Sequence, residues 1–283
     1  MKDFEGQVAA ITGGASGIGY AMAEAALERG MKVSIADVEQ EALDRATAEL
    51  SKKGEVLAVQ TDVSSAEAMD NFAARTFDAY GSVQVLFNNA GVDGHGAMWD
   101  LSTEDWEWTL GVNLWGVIHG IRVFSKHMVE QNIGHIVNTA SIAGLVSAPS
   151  SGPYTVSKHA VVALSEVLHG ELRNESKNVG VSVLCPSYVS TNIITSSRNR
   201  SNVEKTPEWH AEQKAVTELA APVFAGAMQP QTVAQLCFDA IESGRFYILP
   251  HREGSLPIIE QRMTDILEDG LPSMRGPEEY PFN

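Results

Sequence analysis

The sequence predicts an α/β protein with a single doubly wound domain, built on a seven-stranded parallel sheet with helices on both faces. Two features of the chain indicate this. Short stretches rich in β-branched residues alternate with segments of helical periodicity. Parallel strands require right-handed crossover connections, so the intervening helices must cover both faces of the sheet. The predicted strands are residues 8–12, 32–36, 56–60, 83–88, 135–139, 181–185 and 246–249.

The length of the chain fits one domain. It has 283 residues, 44% of them hydrophobic, which is enough to bury a full core. No linker or repeat divides it, so residues 1–283 are predicted to form one dinucleotide-binding and catalytic domain. Residues 187–229 lose the strand–helix alternation over too long a stretch for an ordinary connection and are predicted to be a substrate-binding loop or lid. Residues 271–283, rich in proline, are predicted to be an irregular C-terminal arm.

Charge and cysteine content restrict the partners. A net charge of −16 would repel polyphosphate surfaces, which argues against nucleic acid. Cys185 and Cys237 each lie in an apolar stretch, as is typical of buried free thiols in a reducing compartment. No apolar run reaches membrane-spanning length, and residues 1–6 lead directly into a strand, which leaves no room for a signal peptide. The sequence therefore predicts a cytoplasmic protein with a small-molecule substrate and no membrane partner.

A glycine-rich loop follows the first strand. Residues 12–19 read Thr-Gly-Gly-Ala-Ser-Gly-Ile-Gly and open a helix. Glycines there permit a tight turn and a close approach of the backbone to a pyrophosphate, which the helix N-terminus then holds. The alternative is an ordinary strand-to-helix turn. The predicted cofactor contacts are Gly13, Ser16, Gly17, Ile18 and Gly19.

The second strand ends in a carboxylate that bears on the choice of cofactor. Asp37 lies about twenty residues after the glycine loop, where a carboxylate accepts hydrogen bonds from the adenosine ribose hydroxyls. A 2′-phosphate would meet a like charge, and no Arg or Lys lies within the glycine loop or directly after Asp37 to offset it. NAD is therefore predicted over NADP. An N-cap for the following helix is the alternative role of Asp37, and the two roles can coexist.

A tyrosine and a lysine carry the predicted chemistry. Tyr154 and Lys158 lie four residues apart in a predicted helix over residues 152–174, on one face of it. A neighbouring ammonium and a nicotinium cation favour the phenolate, so the pKa of Tyr154 is expected to fall below its usual value near 10. Tyr154 could then exchange a proton with a substrate hydroxyl. By itself, a pair at this spacing is more often a surface pair on an amphipathic helix.

Two further polar residues, Ser141 and Asn113, support a catalytic role for the pair of Tyr154 and Lys158. Ser141 follows the fifth predicted strand, so its hydroxyl emerges at the carboxyl edge of the sheet, where ligands bind in such folds. The alternative is a serine that caps the turn. Asn113 lies in a long apolar helix, where a buried amide needs partners. We expect it to reach Lys158 through water, by side chain or backbone, in a proton relay; the alternative is a polar contact between helices.

Together these residues resemble the short-chain dehydrogenase/reductase family over residues 4–249. Four motifs coincide in order: residues 12–19, Asn-Asn-Ala-Gly at 88–91, Ser141 with Tyr154 and Lys158, and a proline after the sixth strand. The resemblance implies a Rossmann-type fold with strand order 3-2-1-4-5-6-7 and a homo-oligomer, a dimer or a tetramer. It also implies that Lys158 binds the nicotinamide ribose and lowers the pKa of Tyr154. The further cofactor contacts that it implies are Asp62, Val63, Asn89, Ala90, Gly91, Pro186, Val189 and Thr191.

The sequence departs from the family pattern at one position and hints at a branch of the family. Ser187 follows Pro186 where the family usually has glycine, which restricts the backbone beside the nicotinamide and is expected to alter substrate fit. The first four residues and the stretch 246–251 are similar to a branch that includes dehydrogenases of aryl side-chain alcohols. Apolar residues in the predicted lid are expected to line a pocket for a bulky substrate, or else to pack the lid helix. They are Ile193, Ile194, Trp209 and Phe224.

The sequence thus predicts an NAD-dependent alcohol dehydrogenase or ketone reductase that interconverts a secondary alcohol and a ketone. No metal is predicted, because the histidines do not cluster with carboxylates. An NAD-using epimerase or dehydratase is an alternative, but the 34 residues that follow Leu249 are too few for its substrate domain. The other alternative is a catalytically silent dinucleotide sensor or scaffold, which would be expected to lack Ser141, Tyr154 or Lys158.

Overall fold

A computed structural model describes residues 3–175, 177–200 and 204–273. Strands and helices alternate as the periodicity predicts. The strands are β1 (Val8–Thr12), β2 (Lys32–Asp37), β3 (Val56–Gln60), β4 (Val85–Asn88), β5 (Gly134–Thr139), β6 (Val179–Leu184) and β7 (Tyr247–Ile248). The helices are α1 (Gly17–Leu27), α2 (Gln40–Leu50), α3 (Ala66–Tyr80), α4 (Thr103–Leu110), α5 (Gly116–Gln131), α6 (Gly152–Asn174), α7 (Pro207–Ala225), α8 (Pro230–Ser243) and α9 (Arg252–Leu267).

All seven strands form one parallel sheet in the order β3-β2-β1-β4-β5-β6-β7. This confirms both the predicted fold class and the predicted strand order. The order reverses between β1 and β4, where a crevice opens at the carboxyl ends of the strands and ligands bind in folds of this type. The predicted first and third strands match the observed bounds, whereas β4 begins two residues later than predicted and β7 is only two residues long.

Two apolar cores flank the sheet. On one face α1 and α8 pack together, and Phe238 lies edge-on to Phe4, with ring centroids 5.3 Å apart. On the other face α3 and α5 meet through Phe72 and Phe124, at 5.6 Å. The central strands are buried on both faces, as expected of a sheet with helices on each side. This burial makes the sheet a rigid support for the loops at its carboxyl edge.

The predicted lid has structure of its own. Within residues 187–229 the chain forms a 3₁₀ segment, Ile193–Asn199, followed by α7. Thr206 caps α7 by accepting a hydrogen bond from the Trp209 N–H at 3.2 Å, and a proline begins the helix. Its role as a lid stays a prediction. Of the predicted C-terminal arm, residues 271–273 are irregular and residues 274–283 lie outside the described part of the chain.

The two cysteines are buried free thiols, as predicted. Cys185 directly follows β6, and Cys237 lies in α8 against the sheet. Among the described residues, none of the helices has both the length and the apolar character that crossing a membrane requires.

Candidate active site

The backbone of the glycine loop lies close to the loop that begins at Asn89 after β4, the β4 loop. Gly13 has φ of +65°, and a Cβ there would lie 2.8 Å from the Ala90 Cα. A Cβ at Gly19 would overlap the Gly13 carbonyl oxygen. The backbone N–H groups of Asn89 and Ala90 donate to Thr12 Oγ1 at 2.9 and 3.1 Å, which fastens the two loops to each other. This packing explains why glycine is required at these positions.

The N-terminus of α1 is open to an anion. Ser16 is the N-cap, yet its side chain makes no capping hydrogen bond, and the first turn contains no acidic residue. The first N–H groups of the helix therefore have no side-chain acceptor, although such groups and the helix dipole favour negative charge. Gly17, Ile18 and Gly19 lie in this turn. The loop thus fits the pyrophosphate of a dinucleotide. An ordinary strand-to-helix turn would not need N–H groups left without a side-chain acceptor.

Asp37 is tied to the glycine loop. Its Oδ2 accepts from the Ala15 N–H at 3.1 Å and its Oδ1 from the Glu39 N–H at 3.2 Å. The alternative that Asp37 caps the next helix is wrong, because α2 begins at Gln40 and Glu39 holds the N-cap position. Burial raises the pKa of Asp37, while the two backbone hydrogen bonds oppose that rise. Its carboxylate therefore stands at the end of β2, beside the loop.

Two further predicted cofactor contacts lie after β3. Val63 is buried and packs so closely on α5 that a Cβ at Gly116 would lie 2.7 Å from its Cγ2. Asp62 is exposed, and its Oδ1 accepts from the Ser64 N–H at 2.9 Å and from Ser64 Oγ at 2.7 Å. The carboxylate is therefore used to order this turn, and any contact of Asp62 or Val63 with adenine stays a prediction.

Tyr154 and Lys158 face the interior of the protein. Lys158 is only 2% exposed, and its Nζ donates to the Thr139 carbonyl oxygen at 3.1 Å, at the end of β5. The same Nζ lies 5.4 Å from the centroid of the Tyr154 ring. The alternative of a surface-facing pair is therefore wrong. A buried ammonium beside a phenol places a titratable pair at the carboxyl edge of the sheet.

Ser141 caps a turn, which is the alternative that the sequence left open, and its contact with a substrate stays a prediction. Its Oγ accepts from the Ala143 N–H at 3.2 Å and so caps the short 3₁₀ turn after β5. Its Oγ also donates to the Pro186 carbonyl oxygen at 3.4 Å, and the hydroxyl lies near enough to the Tyr154 phenol to lower the pKa of the tyrosine. The turn that Ser141 caps holds its hydroxyl beside the phenol. Both groups can thus face one substrate oxygen.

The pKa of Tyr154 does not follow the sequence prediction. Burial raises the pKa of Tyr154 above its usual value, the nearby Ser141 hydroxyl opposes that rise, and the negative charge of Asp93 adds to it. Burial also lowers the pKa of Lys158 to about 8. The expected lowering is wrong for the protein by itself, because the cost of burying a phenolate outweighs the stabilisation from nearby groups.

Asn113 lies in a π-helical turn, Gly111–Trp115, between α4 and α5, and not in a regular helix as predicted. Its Oδ1 accepts from the Val92 N–H at 2.8 Å, and its Nδ2 donates to the Val92 carbonyl at 2.9 Å and to Ser157 Oγ at 3.3 Å. The Asn113 side chain therefore forms its hydrogen bonds with Val92 and Ser157, and not with Lys158. A Cβ at Gly91 would lie 3.4 Å from Asn113 Oδ1 and 3.5 Å from Lys158 Nζ, so both border the same space. A link through the Asn113 backbone stays a prediction.

The turn after β6 is held by a histidine that the sequence analysis did not single out. The Ser187 N–H donates to His251 Nδ1 at 3.3 Å, and burial lowers the pKa of His251. Ser187 is not among the described residues of positive φ, so serine replaces the usual glycine without backbone strain. In the same segment, Thr191 lies against Gly17, whose Cβ would be 3.0 Å from its methyl carbon. Pro186 and Val189 are buried in this turn.

Two polar residues after β4, Asp93 and His95, were also not predicted from the sequence. Asp93 raises the pKa of both Tyr154 and Tyr188, so its charge lies within electrostatic reach of the predicted catalytic group. His95 Nδ1 lies 2.7 Å from Asp93 Oδ1, and this bond raises the pKa of His95. The sequence carried no signal for this pair beyond its place after the Asn-Asn-Ala-Gly motif, since a contact with residues sixty positions away depends on folding.

Replacing Asp93 with asparagine is expected to shift the pH dependence of alcohol oxidation. Removal of the negative charge lowers the pKa of Tyr154, so the rise of kcat/KM with pH should occur at lower pH than in the wild type. Rates across the pH range with one alcohol would measure this. Asp78→Asn, on the exposed side of α3, is the matched control and should leave the profile unchanged. A profile displaced to higher pH would contradict this assignment of the Asp93 charge.

Comparison with known proteins agrees with this geometry. The short chain dehydrogenase family model matches residues 7–202. A CLA biosynthesis dehydrogenase/reductase of Lactiplantibacillus plantarum is 34% identical over 97% of this chain and 98% of its own length. A C alpha-dehydrogenase of Sphingobium is 32% identical over 98% and 91%. A crystal structure of a short-chain dehydrogenase/reductase from Burkholderia phymatum in complex with NAD has a TM-score of 0.89 and 42% identity, covering 98% of this chain and 99% of the other. The chain belongs to the short-chain dehydrogenase/reductase family of oxidoreductases.

Proposed function

We propose that the protein is an NAD-dependent alcohol dehydrogenase or ketone reductase that interconverts a secondary alcohol and a ketone. The observation that carries the proposal is the Tyr154 phenol, whose ring centroid lies 5.4 Å from the buried Lys158 Nζ and whose pKa the nearby Ser141 hydroxyl lowers. These groups stand at the carboxyl edge of the sheet, next to an open glycine loop. A proton donor and acceptor beside a dinucleotide site suits hydride transfer with coupled proton transfer.

In this proposal Tyr154 moves the proton. During oxidation its oxygen takes the hydroxyl proton of the alcohol, and during reduction it returns a proton to the carbonyl oxygen. Ser141 donates to the same substrate oxygen and holds it at the phenol. Lys158 places a positive charge near the phenolate as it forms. NAD supplies the hydride acceptor when it is bound. Asn113 holds the β4 loop in place beside Lys158 through its hydrogen bonds to the Val92 backbone.

Contacts with the cofactor are assigned in the same proposal. The first turn of α1 would hold the pyrophosphate, and Asp37 the adenosine ribose. The turn after β6 would receive the nicotinamide. The NAD-bound relative of Burkholderia phymatum supports the choice of NAD.

Replacing Asp37 with asparagine is expected to lower the ratio of kcat/KM with NAD to that with NADP at least about tenfold, because a neutral amide no longer repels a 2′-phosphate. Steady-state rates with each cofactor, at one fixed alcohol concentration, give this ratio. Asp44→Asn, on the exposed face of α2, is the control and should leave it unchanged. An unchanged ratio in the Asp37 variant would refute the assignment of the ribose site.

For the substrate we propose a bulky and hydrophobic molecule, with an aryl alcohol as the first class to test. Tyr188 and Phe224 meet edge-on at 5.6 Å between the β6 turn and α7 and offer an aromatic wall. The Lactiplantibacillus relative is a dehydrogenase/reductase and the Sphingobium relative a C alpha-dehydrogenase, and these names support oxidoreduction. The polar pair of Asp93 and His95 adds one hydrophilic side to the proposed pocket.

We also propose that the protein is a cytoplasmic homo-oligomer, a dimer or a tetramer. Apolar side chains on the surface of the π turn and α6 support this: Trp115 is 52% exposed, Val156 48% and Val167 60%. Large exposed apolar residues grouped on neighbouring helices favour burial against a second subunit.

The proposal is tested by measuring the change in nicotinamide absorbance when purified protein is mixed with NAD or NADP and a secondary alcohol. The alcohols form a panel of aryl, steroid, terpene and short aliphatic compounds. Turnover with NAD on one bulky class is the expected result. Selective use of NADP would overturn the cofactor assignment. Binding of NAD without turnover on any class would favour a dinucleotide sensor instead.

A further inference from the structure

A second acidic side chain stands beside the proposed ribose carboxylate. Glu39 follows Asp37 by two residues, and its own carboxylate binds the 3₁₀ segment of the predicted lid. Arg198 donates to it from Nη2 at 2.6 Å and from Nε at 3.3 Å, and Asn199 Nδ2 donates at 3.1 Å. Three hydrogen bonds thus join the end of β2 to a segment about 160 residues later in the chain.

The remaining nitrogen of the Arg198 guanidinium is also engaged. Its Nη1 donates to the Asn192 carbonyl and to Thr195 Oγ1, each at 3.1 Å. The two-point contact with Glu39 is the geometry in which arginine binds carboxylates and phosphates most strongly. The arginine is therefore held in one position by Glu39 on one side and by its own segment on the other.

This pair borders a cavity beside the glycine loop. The cavity has a volume of about 460 Å³ and lies between the loop, α2 and the 3₁₀ segment. Its lining includes Ala15 and Ser16 of the loop together with Glu39 and Arg198. Because the Ala15 N–H binds the Asp37 carboxylate, the cavity adjoins the proposed adenosine ribose site.

Charge decides what this arginine can bind. The sequence has no basic residue in the glycine loop or directly after Asp37, yet folding brings Arg198 to the same place. A free guanidinium there would attract a 2′-phosphate. Burial would raise the pKa of Glu39, but the bonds from Arg198 and Asn199 bring it below its usual value. Glu39 therefore stays charged at neutral pH and offsets the arginine.

We propose that Glu39 occupies Arg198 and so forms, with Asp37, the determinant that rejects NADP. Asp37 repels the 2′-phosphate directly, and Glu39 occupies the Arg198 guanidinium, which borders the cavity from the 3₁₀ segment. Arg45 of α2 also lines the cavity, and its Nη1 lies 3.9 Å from Glu41. The inference rests on the proposed use of NAD. It assigns cofactor choice to a contact between the lid and the β2–α2 loop, and not to the end of β2 alone.

The test is calorimetric binding of NADH and NADPH to the purified full-length chain in an Asp37→Asn background, where the direct repulsion is gone. Adding Glu39→Gln is expected to strengthen NADPH binding at least tenfold, about 1.4 kcal/mol, with little change for NADH. Adding Arg198→Met as a third change should remove the gain. Glu49→Gln in the same background is the matched control, since Glu49 lines the same cavity but pairs with Lys52.

Three outcomes would overturn the proposal: no gain from Glu39→Gln, a gain that survives Arg198→Met, or an equal gain from Glu49→Gln. In each of these, normal NADH binding by the wild type would leave the proposed function standing. Failure of the wild type to bind NADH would instead overturn the proposed cofactor, and this inference with it.

Discussion

Replacing Tyr154 with phenylalanine is expected to lower kcat for alcohol oxidation by about a thousandfold, the usual contribution of a general acid–base group. Only the hydroxyl is lost, so the ring still fills its place beside Lys158. The Ser141 hydroxyl keeps its bond to the Ala143 N–H, so the turn after β5 should stay folded. NADH binding by calorimetry should be nearly unchanged, because the proposed pyrophosphate and ribose contacts lie elsewhere.

The matched control is Tyr80→Phe. Tyr80 ends α3, and its hydroxyl donates to the Val33 carbonyl oxygen at 3.4 Å, near the amino end of β2. This variant should retain full activity. Equal turnover by the Tyr154 variant and the wild type would refute the proposed mechanism. Loss of NADH binding would show that the substitution had also disrupted the cofactor site.

Replacing Lys158 with methionine is expected to lower kcat/KM at least about a hundredfold, because the charge that favours the phenolate is removed. A second effect concerns stability. Burial lowers the pKa of Lys158 to about 8, below its usual value of 10.5. Between these two pH values the unfolded chain keeps a proton that the folded protein has released, so the lysine's contribution to stability rises with pH through this window.

The free energy of unfolding of the wild type should therefore increase relative to Lys158→Met between pH 8 and pH 10.5, by on the order of 3 kcal/mol. Denaturant titrations of the cofactor-free proteins at fixed protein concentration would measure it. Lys126→Met, on the exposed face of α5, is the control and should show neither effect. A constant difference in stability across this range would mean that Lys158 titrates normally and is not desolvated.

Local sequence predicted the elements well because their signals lie within short stretches. The helix over residues 152–174 matches α6 residue for residue, and the strand that leads into the glycine loop matches β1. Alternation of these elements, together with the handedness of crossovers, accounts for the parallel sheet. The strand order came from the resemblance to the family, and the observed order agrees. Helix spacing likewise placed Tyr154 and Lys158 on one face.

Geometry between distant segments could not be predicted in the same way. Asn113 was expected in a regular helix, but a π turn redirects its amide to the β4 loop, where Val92 satisfies it. Asp37 was a possible helix cap, yet the helix starts later, and its carboxylate binds the glycine loop instead. Each outcome depends on which backbone groups lie within hydrogen-bond distance after folding, a property that periodicity does not encode.

The sequence by itself determined the fold class, the order of chemistry-bearing residues along the chain and the presence of a glycine loop before a carboxylate. Only the tertiary structure decided their electrostatics. Burial raises the pKa of Tyr154 where a nearby lysine had been expected to lower it, and Asp93 adds a charge from another loop. Folding likewise brings Arg198 to Glu39. Desolvation and ion pairing depend on distances in space, and those are set when segments far apart in the chain pack together.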